Sequence, residues 1–185
     1  MKIFCSLLVV LTVASCAPAE KTWTEDQVLD QAKGAAQLAF KELSSELAKA
    51  MAKGGPPEAI PVCSDKAGSI TNEVADLRGV KMVRLSHRPR NPAQRAEGED
   101  LQALEALRND PKPRITWQDD GGAVVHLPIV LNNPLCLQCH GGADDIAPAT
   151  REILGQLYPE DEATGFSLND LRGVWRITVP PREEN

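Results

Sequence analysis

Rings and basic charge are both scarce in this chain. Three Trp, three Phe and one Tyr make up 4% of its 185 residues. A core so poor in rings must be built from Leu, Val, Ile and Ala, or be completed by something that is not protein. The 20 Lys and Arg are outnumbered by 26 Asp and Glu, which leaves a net charge of −6. That balance argues against a nucleic-acid partner, whose binder would present a basic face. No apolar run beyond the N-terminus approaches the ~20 residues of a membrane span. Disorder is excluded by the 42% hydrophobic content and the shortness of the polar tracts. The length suits one domain. What remains to carry chemistry is five Cys and three His.

Residues 1–15 have the layout of an export signal: Lys2, an apolar stretch from Ile3 to Val13, then small residues. The end Val13-Ala14-Ser15-Cys16 resembles a bacterial lipobox, with Cys16 as the lipidated first residue of the mature chain. Small residues before Cys16 let the processing enzyme reach the backbone, and the thiol takes the diacylglycerol. An ordinary signal peptide cut near Ala17 is the plainer alternative. Ala17 rather than Asp after Cys16 favours the outer membrane by resemblance to sorting rules. The expected layout is a lipoprotein signal over 1–15, a tether over 16–23 and one domain over 24–181.

Thr24-Glu25-Asp26-Gln27 has the form of a capping box. Val28, Ala32, Ala35, Ala39, Leu43, Leu47 and Ala50 then recur at helical spacing. Gly54-Gly55-Pro56-Pro57 ends that helix and starts another, on which Ile60, Cys63, Ala67, Ile70, Val74 and Leu77 share a face. That spacing predicts an inward-pointing Cys63. A strand is expected over 79–86, a basic loop over 87–92 and a third helix over about 94–107. Asp119-Asp120-Gly121-Gly122 marks a hairpin between strands 114–118 and 123–130. A long loop, a short helix over 150–157 and a last strand over 173–179 complete an α+β domain with a small antiparallel sheet.

Cys136-Leu137-Gln138-Cys139-His140 is the c-type haem attachment pattern. Two thiols add across the haem vinyl groups, two residues set their spacing, and His140 is held beneath the iron as proximal ligand. Gly141 and Gly142 let the backbone pass close to the macrocycle. Structural zinc would need a second ligand pair, and no second C-x-x-C exists. A thioredoxin-like pair would open a helix after a strand, and a plain disulfide is strained at this spacing. Haem is attached outside the cytoplasm, in keeping with export.

Counting thiols isolates Cys63, since Cys5 leaves with the signal, Cys16 is lipidated, and Cys136 and Cys139 hold haem. Cys63 is a small buried hydrophobe, half of an intermolecular disulfide, or the sixth iron ligand. Met82, His87, His126 and Met51 are rivals for that ligand position. Arg84, Arg88 and Arg90 form the one basic cluster, suited to the two haem propionates or simply to a solvated loop.

Several stretches, in order, resemble the single-haem c-type domains with a PAS-like fold, which occur alone in cyanobacterial proteins and as periplasmic sensor modules of kinases and chemoreceptors. They are the helix around Val62-Cys63, the run from Arg84 to Pro92, Cys136 to Gly141, Tyr158 to Phe166, and Leu171 to Trp175. Together they span about residues 25–180. Asn169-Asp170 replaces the family's frequent Gly-Asp. The resemblance implies long N-terminal helices on a PAS-like sheet, haem held by a loop in the C-terminal half, and iron ligated by His140 and Cys63.

The expectation is a lipid-anchored periplasmic protein with one haem c, used for one-electron transfer or redox sensing through an unidentified redox or signalling partner. With both axial positions filled, the iron has no site for O₂ or substrate, and no acid, base or nucleophile constellation points to an enzyme. The alternative is a gas sensor, in which Cys63 leaves the iron on reduction and NO or CO binds.

Overall fold

The computed structural model describes residues 22–182; the signal, Cys16 and most of the tether lie outside the described residues. Helix α1 (Glu25–Gly54) starts on the expected capping box: Thr24 accepts from the Gln27 N–H, and Gln27 accepts from the Thr24 N–H. Helix α2 (Pro56–Arg78) opens on two prolines, tolerated there because a first-turn N–H has no intrahelical partner. Pro61 cannot donate to the carbonyl four residues back, so the helix lacks one bond just before Cys63. Gly79 ends α2 at φ 62°, a left-handed cap that a Cβ would strain, and its N–H reaches the carbonyls of Ala75 and Asp76. The strand expected from residue 79 therefore starts later.

Strands β1 (Lys81–Leu85), β2 (Arg114–Trp117), β3 (Ala123–Val130) and β4 (Leu171–Val179) form one antiparallel sheet in the order β1-β4-β3-β2. The β2–β3 hairpin closes where Gln118 donates to the Gly122 carbonyl. Alternation assigns the faces. Ala123, Val125 and Leu127 of β3 and Trp175, Ile177 and Val179 of β4 pack against Val28, Ala32, Ala35 and Ala39 of α1. Val174 faces the other way, where Leu104 and Leu107 of helix α3 (Gly98–Asn109) close a second core with Leu85.

Three expectations need correction. Residues 95–97 are not helical: a short 3-10 turn over Pro92–Gln94 leads into extended chain. There Ser86 donates to the Gln94 carbonyl and accepts from Ala96, which is buried. Leu77 is 75% exposed, because it lies in the last turn of α2, past the neighbours that cover Val74. Cys63 is exposed rather than turned into the core. Periodicity identifies a face but not what covers it: Ala59, Ile60 and Ala67 of the same helix are buried, while Cys63 between them stays open.

Candidate haem site

Asn133 accepts from the Leu135 N–H and starts a 3-10 turn over Pro134–Cys136, which runs into a single turn of helix, α4 (Leu137–His140). The motif is thus a helical turn within the long loop expected, and the two thiols project from adjacent turns. Cys136, Cys139 and Cys63 are all free thiols. Gly141 ends the turn, donating to the Leu137 carbonyl at 2.8 Å. A Cβ at Gly141 would meet Asp145 Cβ at 2.5 Å and the Leu137 carbonyl at 2.7 Å, so it is crowded both by the motif's own turn and by Asp145 just after it. The Asp145 carboxylate in turn accepts from the Gly142 N–H at 2.8 Å.

A strap over Tyr158 to Phe166 holds the motif from outside. Phe166 donates to the His140 carbonyl at 2.9 Å and Gly165 to the Gly141 carbonyl at 2.6 Å. Arg90 anchors this strap: its Nε donates to Asp161 at 3.0 Å and its fork to the Cys139 carbonyl at 2.5 Å. Arg88 donates to the carbonyls of Glu162 and Thr164 and lies 4.4 Å over the Phe166 ring. Both guanidiniums therefore have protein partners. Arg84 is different. It lies on β1 opposite Trp175, 5.6 Å over that ring, and among the described residues it has no hydrogen bond or ion pair. Burial lowers its pKa, while Cys63 and Tyr158 oppose that shift.

The His140 Nδ1 lies 2.7 Å from the Ala163 carbonyl. A carbonyl can only accept, so Nδ1 carries the hydrogen and Nε2 keeps its lone pair. Burial, with Arg90 and Arg172 adding to it, pushes the imidazole pKa down to about 3. The ring is neutral at ordinary pH, the form that binds a metal. Fixing the outer nitrogen to a carbonyl is also how ligand imidazoles are held in tautomer and orientation.

Cys63 is open to solvent on one side, while the protein on its other sides raises the thiol pKa and Arg84 and Arg90 lower it. It is close enough to Cys139 to raise that thiol's pKa as well, although burial is the larger cause. Helices α2 and α5 (Pro148–Leu157) meet here, with Ile60, Ile146 and Leu154 packed beside Cys139. The structure thus brings together His140, Cys139, Cys136, Cys63, Arg84 and Arg90. It separates two rivals. Met82 is buried in the α1 core, and His126 is buried on the α3 face, its Nε2 2.7 Å from Asp100. His87 is half-buried, edge-on to Phe166 at 6.0 Å.

Sequence reasoning gave no role to Arg172, Ala163 or Phe166, although all three lie in stretches that carry the resemblance. Arg172 reaches Ser86 Oγ at 2.8 Å and the Arg88 carbonyl at 3.1 Å, and its Nε lies 3.3 Å from His140 Nδ1. It lies in the stretch from Leu171 to Trp175 that carries the resemblance, but only its place opening β4, beside the end of β1, brings it to His140.

The model of the Tll0287-like family matches residues 20–180. The chain belongs to the Tll0287-like family. A solved structure, described as that of the cyanobacterial heme-protein Tll0287, is similar over 86% of this chain and 96% of its own, with TM-score 0.62 and 23% identity. That likeness shows a shared fold. A search of curated proteins finds no significant match.

Among the described residues no three His, Cys, Asp or Glu side chains gather into a metal site. An iron here would need a macrocycle to supply its remaining ligands. The residues present fit a covalently attached haem: paired thiols, a neutral imidazole with Nε2 free, an open thiol on α2, and a half-buried Arg84 whose guanidinium has no anionic partner among the described residues.

Proposed function

We propose that this Tll0287-like protein carries one haem c and handles single electrons. The observation that carries the reading is the Cys136–His140 turn with the His140 Nδ1–H bonded to Ala163. A haem iron in two oxidation states would supply the electron chemistry. The chain's own part is to attach the group through Cys136 and Cys139 and to present Nε2 of His140. Cys63 would complete the iron's ligands, which closes the metal to substrate and favours electron handling over catalysis. Arg84 would face a propionate, with Arg88 and Arg90 holding the strap. The solved relative is described as a heme-protein, which supports the same cofactor.

We further propose export and anchoring through lipidated Cys16, at the periplasmic face of an outer membrane. Among the described residues no helix is long and apolar enough to cross a membrane, and several acyl chains on one terminus suffice for stable attachment. Electrons would pass to a partner protein.

Haem staining after denaturing electrophoresis tests the central reading. Thioethers survive unfolding, so the wild-type band should stain and the Cys136→Ala/Cys139→Ala protein should not. An unstained wild-type band, from cells competent in haem attachment, rules haem c out.

A further inference from the structure

We propose that Arg172 is a positioning residue that holds a permanent positive charge against the iron-ligating imidazole and thereby biases the haem toward its reduced state. The proposal rests on the haem reading and concerns how that same site is tuned.

The guanidinium is fixed from three directions. Nη1 donates to Ser86 Oγ at 2.8 Å and to the Arg88 carbonyl at 3.1 Å, while the group lies 5.4 Å over the Phe166 ring. Ser86 Oγ also donates to the Arg172 carbonyl at 2.7 Å, which ties backbone and side chain to the same hydroxyl. No carboxylate pairs with Arg172 among the described residues; the nearby Asp161 is bonded to Arg90. Burial, with Arg90 adding to it, lowers its pKa to about 10, which leaves it charged at neutral pH.

Its Nε lies 3.3 Å from His140 Nδ1, and the Ala163 carbonyl lies 2.7 Å from the same nitrogen. One imidazole nitrogen has one in-plane position to share. The shorter contact takes it, so the Nδ1–H donates to Ala163 and no lone pair is left for Arg172. What Arg172 supplies is therefore charge rather than a hydrogen bond. The two neighbours pull in opposite senses. The carbonyl draws the proton outward and makes the ring a richer donor, which favours ferric iron. The cation repels further positive charge and favours ferrous iron. A half-buried charge is screened by salt less than an exposed one. A thiolate opposite His140 would also favour ferric iron, so Arg172 would offset part of that ligand's effect.

A purely structural role predicts something else. If Arg172 only braces the end of β1 against β4, its loss should lower thermal stability without a charge-dependent effect on the haem. The test uses haem-loaded protein and compares wild type with Arg172→Met, Arg172→Lys and Ser86→Ala. Midpoint potentials are read by spectrally monitored dithionite titration, and melting temperatures are read alongside.

Arg172→Met should shift the ferric/ferrous balance about tenfold toward ferric at fixed applied potential, a fall of about 59 mV for one electron. Arg172→Lys should stay within about twofold of wild type, although it cannot reproduce the fork and should melt lower. Ser86→Ala, which loosens the brace but keeps the charge, should also keep the potential. Equal shifts in the Met and Lys variants overturn the proposal, as does an unchanged potential in Arg172→Met. Should Arg172→Met fail to fold, Arg172→Gln takes its place under the same criteria. A wild type without covalent haem overturns the haem reading itself, an outcome seen before any potential is measured.

Discussion

His87 shows how a single ring can report on its surroundings. It lies edge-on to Phe166, and its Nδ1 is buried without a partner among the described residues. Burial lowers its pKa from 6.5, and the charges of Arg108, Arg88 and Arg172 lower it further. The unfolded chain takes up a proton on this ring near pH 6.5, whereas the folded chain resists until the pH is lower. Between those values the unfolded state binds more protons, so stability falls as pH drops through that window. The contribution is fully present above 6.5. Urea midpoints at pH 7.5 and 5 should therefore differ more in wild type than in His87→Gln, measured on otherwise identical protein. An unchanged difference would mean that the folded protein accommodates the imidazolium.

At the scale of elements, α3 is a lever on stability that leaves the site alone. Leu104 is fully buried against Leu85 and Val174, on the sheet face opposite α1. Leu104→Ala should cost about 3 kcal/mol through lost burial and the cavity left behind. The urea midpoint should fall while the haem spectrum stays as in wild type; an altered spectrum would show that α3 supports the site after all. The elements most legible in the sequence were those with local punctuation. Thr24 to Gln27 capped α1, the prolines opened α2, and Asp119 to Gly122 made the hairpin, each through chemistry within four residues. The start of α3 was not legible, because the bonds that hold Arg95 and Ala96 extended, through the Gln94 carbonyl and the Ala96 N–H, come from Ser86. Cys63 lay on a regular helical stripe, yet it is open between the buried Ile60 and Ala67, because spacing along a helix does not say which positions the rest of the fold covers. The motif Cys136 to His140 was plain, whereas Arg172 and Ala163 reach His140 only through folding.

Across the whole molecule, the axial thiol is where helix packing and iron chemistry would meet. Cys63 belongs to α2, which packs against α1, α5 and β1 at once. The structure narrows the rivals, since Met82 is sealed under α1 and His126 is bonded to Asp100 on the far face. If the Cys63 thiolate binds ferric iron, the wild type should be low-spin with a sulfur charge-transfer band. Cys63→Ala should keep its covalent haem stain, because the thioethers are elsewhere, but should bind water or added ligands such as CO. Cys63→Met should stay six-coordinate where the sulfur reaches, and its potential should rise, because a neutral thioether favours ferrous iron more than a thiolate does. Reduction of the wild type should weaken the iron–sulfur bond, since added electron density on iron repels an anionic ligand. A weakened bond would free α2 to shift against β1 and α5, and a partner protein could read that shift. An unaltered spectrum in Cys63→Ala would place another residue on the iron, with His87 and Met51 the next to replace, and the coupling through α2 would fall with it.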